Sequence, residues 1–216
     1  MRLLALDAAL GAFECALLDG ERLLVHRRVG ANQALENGLA AISALFEEAA
    51  LEPGAIDRIA VGLGPGSFTG LRVALSYAKA LALAWKLPLV GISSFDVLEE
   101  GATALPRLAV VEGRPGIISA RLCSSAGERR ASGEIAATLA ELLPHPLPEP
   151  LALAGATAGV AALLAERGQP VFSLPPVPSP ALALARLART MPAAASPHAL
   201  VADYGEAPAA KIPTRT

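Results

Sequence analysis

The chain has 216 residues, 53% hydrophobic and 18% charged, and its 18 Lys+Arg against 20 Asp+Glu leave a formal net charge of −2. That apolar content suffices for a core, excludes intrinsic disorder over most of the length, and fits one domain or two small ones. The near-neutral balance excludes a broad basic field for holding nucleic acid, and Cys15 and Cys123 are too few for a disulfide framework. In chain order, residues 3–6 read as a short buried strand ending at Asp7. Residues 12–18 and 23–29 follow as strands around Asp19-Gly20, a strong hairpin signal. Leu35, Leu39, Ile42, Leu45, Phe46 and Ala49 recur at helical spacing, and Pro53-Gly54 stops that run. A strand over 56–63, a helix over 71–85, a strand over 89–92 and a helix opening at Ser94 complete the first half.

The second half repeats the pattern in reduced form. Residues 108–112 and 117–123 read as a hairpin and 134–143 as a helix. A Pro-rich extended connection spans 144–150. A strand over 151–154, a helix over 160–167, a strand over 171–174 and a helix over 181–191 follow. The first-half order, β-β-β-α-β-α-β-α, is that of the ribonuclease-H-like half of actin-like ATPases and sugar kinases. The expected architecture is therefore a duplicated α/β fold with a reduced second domain. Its parts are a first domain at 1–104, a second at 105–191, and a tail at 192–216 that is mobile beyond Tyr204. Residues 71–92 are the most apolar stretch, but Arg72, Lys79, Lys86 and Pro88 make them a helix and a strand rather than a membrane span. A soluble, cytoplasmic protein is expected.

Three features invite a functional reading. Gly62-Leu63-Gly64-Pro65-Gly66-Ser67-Phe68-Thr69-Gly70-Leu71-Arg72 joins a strand to a helix. Such a loop can offer backbone N–H groups to an anion; equally, it can be a tight turn with Ser67 or Thr69 capping the helix. No Gly-Lys-Ser/Thr occurs, and Thr69 stands where a dinucleotide fingerprint needs its third glycine. Second, Gly70, Ala74, Ala78 and Ala82 lie four apart, a small-residue ridge that either packs within the chain or lets a partner helix come close. Third, Asp7 ends the first strand, where an actin-like ATPase handles metal and phosphate. Here Ala8-Ala9-Leu10-Gly11 follows without a hydroxyl, which favours Asp7 as a turn residue. His26, His145 and His198 are scattered, and no Gly-x-Ser-x-Gly elbow exists, so neither a zinc nor a serine hydrolase is supported.

The run Gly64-Pro65-Gly66-Ser67-Phe68-Thr69-Gly70-Leu71-Arg72 resembles the signature of the TsaB (YeaZ) family, and residues 4–7, 59–62 and 89–95 agree with it. The resemblance implies a subunit without catalytic residues, metal or cofactor of its own. It would serve the machinery that makes N6-threonylcarbamoyladenosine at position 37 of tRNA. It further implies pairing with TsaD, which transfers the threonylcarbamoyl group from an adenylate made by TsaC. TsaE joins that complex, tRNA is touched only through it, and a homodimer forms in isolation. The family's contact helices map onto Leu35, Leu39 and Ile42 and onto the ridge Gly70, Ala74, Ala78 and Ala82. Several positions depart from the family pattern: Asp7-Ala8-Ala9 for Asp-Thr-Ser, Asn32-Gln33-Ala34-Leu35 for a His-Ser pair, Glu112-Gly113-Arg114 for Asp-Ala-Arg, and Tyr204-Gly205-Glu206 for Tyr-Leu-Arg. These departures weaken any claim of nucleotide binding. The alternatives are a glycoprotease-type peptidase and a degenerate actin-like ATPase.

Overall fold

The computed structural model describes residues 1–205. Its first sheet holds β1 (Arg2–Asp7), β2 (Phe13–Asp19), β3 (Arg22–Val29), β4 (Arg58–Gly64) and β5 (Leu89–Ser93), in the order β3-β2-β1-β4-β5. The meander β1–β2–β3 is antiparallel, while β4 and β5 add in parallel. Parallel neighbours need crossovers, and these are α1 (Ala34–Ala49) and α2 (Phe68–Trp85); α3 (Ser94–Leu98) follows β5.

Alternation along β1 separates two cores. Leu4 and Leu6 face the α1–α2 layer, together with Phe13, Ile59, Val61, Ile42, Leu45, Ala74 and Ala78. Leu3 and Ala5 face the other way, with Ala16, Leu18, Ala60, Val90 and Ile92.

The second sheet repeats the plan. It contains β6 (Arg107–Arg114), β7 (Ile117–Ser124), β8 (Gly127–Glu134), β9 (Leu151–Gly155) and β10 (Val171–Ser173), ordered β10-β9-β6-β7-β8. The helices of this half are α4 (Ile135–Leu142), α5 (Ala158–Glu166) and α6 (Pro180–Ala188). The expected hairpin is thus a three-stranded meander. β8 pairs with β7 along its whole length, yet its side chains are almost all exposed, so it shows none of the apolar pattern that marks a strand. The second half is reduced in length, not in number of elements: α4 and α5 have 8 and 9 residues where α1 and α2 have 16 and 18.

One element of the second half lies on the first sheet. Ala181, Leu184, Ala185 and Ala188 of α6 pack on Leu3, Ala5, Ala60 and Ile92. Arg58 ties this helix down, donating to the carbonyls of Ala188 and Met191 at 2.7 and 2.8 Å. The chain then crosses back over the first sheet. The Ala194 N–H donates to the Leu89 carbonyl (2.9 Å) and the Asp203 N–H to the Leu63 carbonyl (2.7 Å). Of the tail expected to be mobile beyond Tyr204, residues 206–216 lie outside the described residues.

Two devices join the halves. Leu10 packs against both the α6 core and a small cluster of Phe95, Ala109, Val111 and Ala154. The buried Arg121 of β7 reaches Glu99 at 2.9 Å and Asp96 at 2.6 Å, beside the Phe95 ring, and Arg107 binds the same Glu99 oxygen at 2.7 Å. Among the described residues, no helix is long and apolar enough to cross a membrane.

Candidate functional site

The signature loop leaves β4 at Gly64 and enters α2 at Phe68. Ser67 caps the helix, its Oγ accepting the Gly70 N–H at 3.2 Å. The loop glycines are sites of close backbone approach. A β-carbon on Gly66 would stand 2.2 Å from the Ala9 carbonyl oxygen, and one on Gly70 would stand 1.9 Å from that of Ala8. The Ser67 N–H donates to the same Ala9 carbonyl at 2.9 Å. Gly64, at φ +96°, lies under the Asp203 carbonyl. The chain's own Ala8–Ala9 turn thus closes on the glycine loop, backbone to backbone. Of the remaining signature residues, Pro65 and Leu71 are buried, whereas Phe68, Thr69 and Arg72 reach the surface. Phe68 stacks on Tyr204, ring centres 4.8 Å apart, with the Arg72 guanidinium 5.4 Å from its own ring.

Asp7 is a turn residue. Its Oδ2 accepts the N–H groups of Ala9 and Leu10 at 3.1 and 3.3 Å. Oδ1 is buried, has no hydrogen-bond partner, and lies over the bare Cα of Gly62, where a β-carbon would come within 2.1 Å. Burial pushes this carboxyl up to about 7. The Glu14 charge adds to the rise, and the two backbone N–H groups oppose it.

Between the halves lie two clefts of about 490 and 350 Å³. Both are lined by Leu10, Leu98 and Gly155. Beside the larger cleft, the Ser179 hydroxyl donates to Glu14 Oε2 at 2.5 Å, and His26 Nε2 sits 3.2 Å from the same oxygen. Ser179 Oγ also lies 3.3 Å from His26 Nε2, but the hydroxyl is buried as the cap of α6 and so is not presented to a substrate. Cys15 is likewise no nucleophile, since burial pushes its thiol up to about 12. Among the described residues, no three His, Cys, Asp or Glu side chains are grouped to hold a metal ion.

The small-residue ridge requires a correction. Gly70, Ala74, Ala78 and Ala82 are all buried in the α1–α2 core, and Ile42 is buried with them. Small side chains here let α2 lie low on its own sheet; they offer nothing to a partner. Only Leu35 and Leu39 of the expected contact residues reach the surface, at 70% and 53% exposure. The α1–α2 crossing beneath them is tight. A β-carbon on Gly38 would meet Tyr77 at 2.7 Å, and the Tyr77 hydroxyl donates to the Leu35 carbonyl at 2.8 Å. Leu39 also borders a groove of about 610 Å³ that includes Phe46, Leu81 and Trp85.

Fold and loop together define the class: an actin-like α/β fold in which the turn after β1 closes the glycine loop before α2, backbone to backbone. The family model described as TsaD: tRNA N6-adenosine threonylcarbamoyltransferase matches residues 25–200. The tRNA threonylcarbamoyladenosine biosynthesis protein TsaB of Escherichia coli (strain K12) is 31% identical over 120 residues, covering 54% of this chain and 52% of that protein. The chain thus spans about half the length of the curated relatives it matches. YeaZ from Pseudomonas aeruginosa shares the fold with a TM-score of 0.65 at 23% identity, over 94% of this chain and 100% of that one. Component A of (R)-2-hydroxyglutaryl-CoA dehydratase from Acidaminococcus fermentans does so at 0.52 and 10% identity, over 87% and 97%. The chain belongs to the family that the matching model describes, and it is similar to proteins named TsaB and YeaZ.

Proposed function

We propose that this chain takes part in making N6-threonylcarbamoyladenosine in tRNA as a non-catalytic subunit that pairs with TsaD and completes a docking site for TsaE. The observation that carries the reading is the closed loop. In a family whose model is named for a transferase, this chain places the Ala8 and Ala9 carbonyls against Gly70 and Gly66. Asp7 is turned inward onto its own backbone. Pairing uses the exposed crest of α1 around Leu35 and Leu39, supported from below by Tyr77. Two large apolar side chains one turn apart on a rigid helix pair are suited to helix-in-groove or helix-on-helix association. The contribution to the reaction is conformational: TsaD is held in its competent state, and tRNA is contacted through the assembled complex.

Reconstitution of tRNA modification from purified TsaC, TsaD and TsaE, with and without this chain, tests the proposal. The expected result is co-elution with TsaD and product only when the chain is present. Full activity without it, or no co-elution, overturns the reading.

A further inference from the structure

Arg72, the last residue of the signature, takes no part in closing the loop. It stands at one end of a groove of about 310 Å³ between α2 and the tail segment 198–204. Leu75 and Leu200 form an apolar floor, Arg72, Lys79 and His198 stand along the rim, and Tyr204 closes one end. Among the described residues, none of the three basic side chains makes an ion pair and no acidic side chain lines the groove. Asp203, on the tail beside it, accepts from the Gly205 N–H with its Oδ1. In a chain whose net charge is −2, a groove whose charged lining residues are Arg72 and Lys79 is charge-complementary to an acidic ligand.

We infer that this groove binds an acidic peptide segment of a partner protein, its apolar side chain on Leu75 and Leu200 and its carboxylates against Arg72 and Lys79. A short peptide is favoured over single-stranded RNA. The floor is aliphatic, and the Phe68 ring that a base would stack on already holds Tyr204 and Arg72. The inference does not depend on pairing through Leu35 and Leu39, because the crest and the groove share no lining residue.

The test is a selection of random short peptides displayed against the full chain, repeated on Arg72→Glu and Lys79→Glu. Both positions lie on the solvent side of α2, and unchanged circular dichroism and melting confirm that the variants fold. Enrichment of peptides combining acidic and large apolar residues, with affinity falling about tenfold in either variant and less steeply at high salt, supports the inference. No enrichment, enrichment without acidic residues, or affinity indifferent to both variants overturns it. A labelled oligouridylate that binds the chain and is lost in Arg72→Glu, with no acidic peptide selected, replaces it with an RNA site. Co-elution with TsaD is read separately in the same variants, so failure here and failure of the pairing proposal are distinguishable.

Discussion

The carbonyl oxygen of Ala8 lies 1.9 Å from where a β-carbon on Gly70 would stand, so the turn after β1 and the first residues of α2 touch backbone to backbone. No side chain can relieve that contact by changing rotamer. Gly70→Ala should therefore destabilise the chain by about 3 kcal/mol. Urea unfolding followed by the fluorescence of Trp85 measures it, and an unchanged midpoint would show the turn to be looser than described.

Asp7 carries a pH dependence of definite sign. Its carboxyl titrates near 7 in the folded chain against an ordinary 3.8, chiefly because it is buried. Between those values the folded state binds more protons than the unfolded one. The stability this group contributes is therefore complete below about pH 4 and is lost as pH rises through 7. At about 1.36 kcal/mol per unit, the ceiling is roughly 4 kcal/mol. Asp7→Asn should flatten the pH dependence of the melting temperature between these limits, as calorimetry across the range would show.

Arg121 and Glu99 form a buried pair between the halves, 2.9 Å apart. Arg121→Ala strands the Glu99 carboxylate near Arg107 alone and should cost about 3–5 kcal/mol. Arg121→Ala combined with Glu99→Ala should cost less than the sum of the two single changes. Chemical denaturation of all four forms in a double-mutant cycle measures the coupling; strict additivity would mean that the pair does not act as a unit.

Two glutamate substitutions separate the surface of the helix pair from its interior. Leu39→Glu, on the crest, should leave stability within about 0.5 kcal/mol of the parent while abolishing co-elution with TsaD. Ala78→Glu, fully buried in the core, should leave little folded protein. Melting curves run beside size-exclusion chromatography distinguish the two outcomes.

Why the ridge misled is plain from α2 itself. A spacing of four places Gly70, Ala74, Ala78 and Ala82 on one side but does not say what that side faces. The opposite side reads Arg72, Ser76, Lys79 and Leu83, a largely polar stripe that already marked the solvent side. Strands β1, β2 and β4 were legible because they are almost continuously buried. β8 was not, because an exposed edge strand is held by backbone pairing, which leaves no trace in side-chain pattern. The closed glycine loop was half legible. The missing hydroxyls after Asp7 could be read directly, but contacts between residues 8–9 and 66–70 are tertiary. The docking of α6 on the first sheet is more distant still: an Ala- and Leu-rich amphipathic helix fits either half equally well.

That docking bears on how the molecule is made. The sheet face formed by Leu3, Ala5, Ala60 and Ile92 is finished by a helix that leaves the ribosome only after the whole second sheet has been synthesised. Until then the nascent first half carries an uncovered apolar surface, the kind of surface that chaperones recognise and that aggregates when they are scarce.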